Sequence, residues 1–192
     1  MDATAPKCQG NLQIPVDLFV SKKYDGGNFG FADSSGNLVF RVDRQSDKST
    51  DVPHRNHVLL DASGNSLMSI RRNHNGSWQG FKGDNSKEDL IFRVERTINT
   101  LSKTEFDVFL AAEKCEDSNS DFKMKGSPFQ RSCTIYKGNS IVAQTSRMYK
   151  LGFQNIWVSR LRFRLTIFPG FVDHALIVAL IVIFFDGRKF WM

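Results

Sequence analysis

The chain is poor in the features that usually announce a chemistry. Its 192 residues include only three cysteines, Cys8, Cys115 and Cys133. They form no C-x-x-C pair and no even disulfide framework, which excludes a disulfide-stapled secreted scaffold and points to free thiols in a reducing compartment. The N-terminus lacks the basic-then-apolar layout of a signal peptide, so the sequon Asn75-Gly76-Ser77 reads as a turn and not as a glycosylation site. All five prolines lie in the tail or at segment edges, where a sheet tolerates them. No G-x-S-x-G elbow is present. Gly26-Gly27-Asn28-Phe29-Gly30 lacks the G-x-G-x-x-G spacing and opens a strand, so it reads as a turn and not as a dinucleotide loop. His54 and His57 are spaced like ligands, but they are expected on a polar loop with no cysteine or acid nearby, short of the three or four ligands zinc needs. Asp84, Glu88 and Asp89 do not follow the calcium-loop pattern. The chain reads as a non-enzyme with no catalytic residue, metal or cofactor.

Long apolar runs are also scarce. Ala175 to Phe185 is the one such segment, with 11 residues between Asp173 and Asp186. A membrane-spanning helix needs roughly 20, and as a helix this run would cover only about 16 Å at 1.5 Å per residue. Length favours a helix buried on all sides, whereas the β-branched content favours a buried strand, and periodicity alone leaves both open.

What the chain does have is bulk and alternation. At 24% charged and 41% hydrophobic, with 17 phenylalanines, it has the composition of a globular domain with large rings on the inner faces of its sheets. Residues 1–13 read as a flexible N-terminal tail and residues 14–192 as a single domain. Strand segments recur at Val16–Val20, Phe29–Ala32, Leu38–Val42, Val58–Leu60, Leu67–Ile70 and Trp78–Phe81. They continue at Asp89–Arg96, Phe106–Ala111, Asp121–Lys125, Ser132–Tyr136, Ile141–Ala143 and Arg160–Phe168. Arg44 to Arg55 is expected to be a surface loop. The turn Asp33-Ser34-Ser35-Gly36-Asn37 recurs as Asp61-Ala62-Ser63-Gly64-Asn65, 28 residues on, as successive antiparallel hairpins would require. About twelve short strands of this kind close on themselves to protect their edges. A closed barrel has a lumen to fill, and the run Ala175–Phe185 is the segment available to fill it.

Charge is unevenly distributed. The net charge is +6, and from Arg147 onward seven basic residues face two acidic ones, against 19 and 18 before it. Arg71 with Arg72, Lys123 and Lys125 with Arg131, and the same-face stripe Arg160, Arg162 and Arg164 are the candidate sites for an anionic partner. Charged residues on the outer face of a strand are also ordinary protection against aggregation. The stripe is the sharpest of the three, because adjacent guanidinium groups repel unless an anion or carboxylates lie opposite. With most rings expected inward, nucleic acid is disfavoured as a direct ligand.

Several stretches resemble the LURP-one-related family of plant proteins. They are Leu59 to Arg72, Asp107 to Ala111, Asp121 to Ser127, Arg131 to Tyr136, Ile141 to Gln144, and Val172 to Leu180 with its Asp173-His174-Ala175 opening. The chain departs from the family pattern in the longer, more basic Leu151 to Arg164, in an extra residue within Phe168 to Asp173, and at its C-terminal end. The resemblance implies a mainly β, tubby-like fold: a closed antiparallel barrel of about twelve strands around a central buried hydrophobic C-terminal helix at about residues 172–185. Asp173, Ala175, Leu176, Val178, Ala179 and Leu180 would then be structural. It also implies kinship with phospholipid scramblases and a link to pathogen defence.

The function expected on these grounds is a non-enzymatic, membrane-tethered regulator that binds anionic phospholipid, in particular phosphoinositide. The alternative is a protein-interaction module in defence signalling, and scramblase-like lipid transfer ranks last. The expected state is a monomer without a transmembrane span, cytoplasmic, with a peripheral place at the plasma membrane or a nuclear one left open.

Overall fold

Period-two alternation builds twelve antiparallel strands and one helix among the residues described by the computed structural model, 14–22, 29–46, 55–83, 89–100, 102–111, 119–148, 162–170 and 173–186. The strands are β1 (Val16–Lys22), β2 (Phe29–Ala32), β3 (Leu38–Ser46), β4 (Arg55–Asp61), β5 (Ser66–Arg72) and β6 (Trp78–Lys82). They continue with β7 (Leu90–Asn99), β8 (Thr104–Leu110), β9 (Phe122–Ser127), β10 (Ser132–Lys137), β11 (Ser140–Arg147) and β12 (Arg162–Ile167). Neighbours in sequence pair with each other, and β1 pairs with β12 to close the barrel. No strand edge is left open, which is how closure answers the edge problem.

The helix α1 (His174–Asp186) fills the lumen. Every residue from Leu176 to Phe185 is buried. A helix without a polar face is stable only if apolar surface meets it all round, and the inward ranks of the barrel do so. Phe106 meets Phe184 edge-on at 5.8 Å, and Phe163 lies 4.7 Å from Phe185. Leu176, Val178, Ala179 and Leu180 are all in the core, and Ala175 packs partly against it. The Asp173 carboxylate accepts the Ala175 amide at 2.9 Å, so Asp173 caps the helix start, where orphan amides and the positive dipole end favour an anion.

The repeated turns take the same form. In each, the aspartate carboxylate accepts the backbone amide of the asparagine four residues on, Asp33 from Asn37 and Asp61 from Asn65, at 2.9 and 2.8 Å. Gly36 and Gly64 supply the left-handed φ of +87° and +89°. Hydrogen bonds from Asn37 hold the Asp33 carboxyl below the usual carboxylate range, and those from Asn65 do the same for Asp61.

Two expectations from sequence change here. Arg44 to Arg55 is not simply a loop. β3 runs on to Ser46 and β4 begins at Arg55, with Arg44 opposite His57 and Ser46 opposite Arg55 in the ladder. Polar side chains near a barrel rim face water from either side of the sheet, so alternation fades there although pairing continues. His57 is likewise a strand residue, and it has an acid partner, described below. The expected tail 1–13, the Gly26–Asn28 turn, His54, Cys8, Cys115, Arg160 and most of Leu151 to Arg164 lie outside the described residues.

Two substitutions test this packing. Leu180→Asp places an unpaired charge in a fully buried position, at a cost of several kcal/mol. It should yield insoluble or non-cooperatively unfolding protein, whereas a soluble variant with a sharp thermal melt would refute the central helix. A Cβ at Gly126 would collide with the backbone of Ser132 across the β9–β10 ladder. Gly126→Ala should therefore lower stability in urea by roughly 1–3 kcal/mol or more.

Candidate functional site

Antiparallel pairing sorts the charged side chains between the two ends of the barrel. The helix starts at the end that holds the turns 33–37 and 61–65, with Asp33, Asp61, Asp89, Asp121 and Asp173. It finishes at the other end, among the turns 73–77, 100–103 and 128–131, where arginines dominate. The first end also carries Lys82 and Lys137, and the second Glu95, Glu105 and Asp186, so aspartates prevail at one and arginines at the other.

The basic end is built around the helix C-terminus. His57, 1% exposed, donates from Nε2 to the Asp186 carboxylate across 3.1 Å. Its Nδ1 is buried without a hydrogen-bond partner, and its ring stacks on Trp78 at 6.1 Å and 25°. Residues opposite each other in an antiparallel pair point to the same face. Arg44 opposite His57, Arg72 opposite Trp78, Arg96 opposite Phe106 and Arg147 opposite Phe163 therefore all occupy inward register positions at this mouth. Three of the mouth's arginines lie over rings: Arg72 over Trp78 at 5.7 Å, Arg96 over Phe106 at 5.1 Å and Arg131 over Phe185 at 5.4 Å. Such stacking attracts a cation to the ring face and fixes its position.

This arrangement has a structural cause. The last helical carbonyls lack intrahelical partners and form the negative pole of the dipole, while the final turn of α1 has no basic residue of its own. Arg131 from the wall lies over the Phe185 ring in that turn. Burial, with the neighbouring Arg147 adding to it, holds the Arg131 guanidinium below its ordinary value. A polar recess of about 400 Å3 adjoins Arg96, lined also by Asn75, Gly76, Ser77 and Glu95.

The basic residues picked from sequence are divided among different settings. Arg71, Arg72, Arg131 and Arg162 come to the basic end, though on opposite walls, and Arg71 lies over Phe81 at 5.7 Å. Lys123, Lys125 and Arg164 stand on the outer wall. Lys123 is 3.6 Å from Asp107, Lys125 lies opposite Glu105, and Arg164 is 3.6 Å from Asp17. One carboxylate, that of Asp17, thus faces the stripe at Arg164. Glu105 is itself bound by Lys103 at 2.7 Å, which pulls its carboxyl below the usual range.

Sequence reasoning missed Arg44, Arg96, Arg147 and the pair His57–Asp186. The parity of each strand carried to its last residue could have found the arginines. No local signal links residues 129 positions apart. Cys133 is buried, and burial pushes its thiol well up, away from nucleophilic use. Among the described residues no group of three or more His, Cys, Asp or Glu side chains could hold a metal ion.

The family model described as LURP-one-related matches residues 16–186. The chain belongs to the LURP-one-related family. It is 52% identical over 179 residues to Protein LURP-one-related 7 of Arabidopsis thaliana, covering 91% of each chain. Its identity to Protein LURP-one-related 15 of the same plant is 35% over 184 residues, covering 91% of this chain and 81% of the relative. Among solved structures it is similar to an X-ray structure of an Arabidopsis thaliana protein, with a TM-score of 0.66, 34% identity and coverage of 91% and 92%. The matched residues span both the barrel and the central helix.

That contact can be tested directly. Asp186→Ala leaves the buried His57 imidazole without its acceptor and should cost about 1–3 kcal/mol in chemical denaturation. Asp186→Asn, which can still accept from Nε2, should cost less. Equal stability of the native chain and Asp186→Ala would show that the pair does not anchor the helix end.

Proposed function

We propose that this LURP-one-related chain is a non-enzymatic module that binds anionic phospholipid at a membrane surface, with phosphoinositide headgroups as the preferred class. The observation that carries the reading is the axial separation of charge. Arg71, Arg72, Arg131, Arg147 and Arg162 gather at the end where the helix finishes, and Asp33, Asp61, Asp89, Asp121 and Asp173 at the other. A basic face of this kind is drawn to the negative potential of a leaflet, at about 1 kcal/mol per Lys or Arg near the surface. An acidic far end orients the approach. The fold kinship with tubby-like and scramblase proteins that the family resemblance implies points the same way.

Two features support contact at a surface over insertion of the barrel or its helix. The outward ranks carry charged residues such as Arg93, Glu95, Lys123, Lys125 and Arg164, where a lipid-facing wall would be apolar. No helix among the described residues is long and apolar enough to cross a membrane. Lipid transfer of the scramblase kind is therefore the weakest reading. Tethering and a role in defence belong to the same proposal.

A second reading, an interaction module for a protein partner in defence signalling, is favoured by a different observation. Leu38, Leu90 and Ile141 are 40–43% exposed at the end of the barrel that carries Asp33, Asp61 and Asp89. A partner with apolar and basic groups would fit there.

Vesicle sedimentation separates the two. The native chain should bind phosphatidylcholine vesicles doped with phosphoinositide, not undoped ones, and should release as ionic strength rises past the screening regime. Arg71→Ala/Arg72→Ala/Arg162→Ala should weaken binding at least tenfold. Equal retention on neutral and acidic vesicles would rule out the lipid reading and leave the protein-partner one.

A further inference from the structure

Asn75-Gly76, read from sequence as part of a turn, is the one Asn-Gly step in the chain. It lies in the turn 73–77 between β5 and β6, which shares the backbone plan of the turns 33–37 and 61–65. In each, the first residue's carbonyl accepts the glycine amide, from Gly36 at 3.1 Å, Gly64 at 3.2 Å and Gly76 at 3.0 Å. Gly76 is left-handed like its two counterparts, with φ +84°. The turns differ in the residue before the glycine, which is Ser35 or Ser63 in two of them and Asn75 in the third.

Side-chain bonding changes with that residue. Asp33 and Asp61 close their turns by accepting the fifth residue's amide, and the Asn65 side-chain amide donates to Asp61 at 2.8 Å. In 73–77 the acceptor is Asn75. Its Oδ1 takes the Ser77 backbone amide at 3.0 Å and the Ser77 hydroxyl at 2.6 Å. That hydroxyl in turn accepts the Asn73 side-chain amide at 3.1 Å. Hydrogen bonds in series polarise one another, and Ser77 is 8% exposed, so water competes little for them.

Two donors converging on one carbonyl oxygen act as an oxyanion hole does: they hold the negative charge that forms when a nucleophile adds to the carbon. The nucleophile at hand is the backbone nitrogen of Gly76, next in the chain, with no side chain of its own to hinder it. We propose that Asn75-Gly76 is a self-modification site, at which the folded turn promotes loss of the Asn75 amide as ammonia and leaves a carboxylate in its place.

The Gly76 N–H first leaves the Asn73 carbonyl. Gly76 N then bonds to Asn75 Cγ, and the charge on Oδ1 rests on the Ser77 amide and hydroxyl. The Cγ–Nδ2 bond breaks, and ammonia departs with the proton from Gly76. Water opens the five-membered imide at either carbonyl, giving aspartate or isoaspartate. One water enters and one ammonia leaves, with no change of oxidation state. The new carboxylate stands in the recess that Glu95 and Arg96 also line, and it lowers the net charge of +6 by one. The isoaspartate form also lengthens the main chain of the turn by one methylene.

The test incubates the folded full chain at mildly alkaline pH and weighs its peptides over time. The peptide with Asn75 should gain one dalton and accept methyl groups from an isoaspartate-specific methyltransferase. Peptides holding Asn65-Ser66 and Asn139-Ser140 should stay unchanged. Ser77→Ala removes one donor and should slow the gain about fivefold, the rate factor that matches one hydrogen bond's net worth. Ser77→Thr keeps the hydroxyl and should convert like the native chain. Asn73→Ala, which leaves Ser77 in place, should slow the gain in the same direction. In concentrated urea, where the turn is lost, the native chain and Ser77→Ala should convert at one rate. No gain at Asn75 in the folded chain overturns the proposal, as does a gain at Asn65 or Asn139 that is equally fast. Folded Ser77→Ala and Asn73→Ala converting as fast as the native chain would overturn it too. A Ser77→Ala effect that persists in urea would do the same, because the turn would then play no part.

Discussion

A helix with no polar face cannot be left in water, and the rest of this LURP-one-related structure follows from that constraint. Leu176 to Phe185 must be enclosed on all sides. A single flat sheet covers one side only, so the sheet has to curl until β1 meets β12. Closure then solves a second problem, because a barrel has no unpaired edge. The phenylalanine-rich inward ranks fill the space between wall and helix, and Phe106, Phe163, Phe184 and Phe185 interlock at one end of it.

The helix also imposes polarity on the barrel. Its N-terminus takes an anion, Asp173, and its C-terminus calls for cations that its own last turn lacks. Arg131 reaches the helix at Phe185, and His57 reaches it at Asp186. A requirement that one or two cations would meet is answered by a whole mouth of them, held partly by aromatic stacking.

Outward charges behave differently. Lys123 with Asp107, Arg164 with Asp17 and Arg93 with Glu95 are opposed pairs on an exposed wall, each worth little to stability. Their value lies in keeping the wall soluble and unlike a lipid-facing barrel. The arginines that lie over rings, Arg72, Arg96 and Arg131, stand instead at the end where the helix finishes.

Alternation and turn chemistry alone determined most of the architecture. Both are local: a side chain's face follows from its parity along the strand, and Gly36 or Gly64 marks its hairpin whatever surrounds it. The twelve strands, the hairpin repeat and the one unbroken apolar run were legible for that reason, and family resemblance settled the run as a helix. Composition also marked Arg71, Arg72, Arg131 and Arg162 as basic candidates. Tertiary structure alone decided which of these charges share an end, which face carboxylates, and that Arg44, Arg96 and Arg147 turn inward beside them. It alone brought His57 to Asp186. The closing of the barrel sets these proximities, and closure joins residues whose separation along the chain carries no trace of their separation in space.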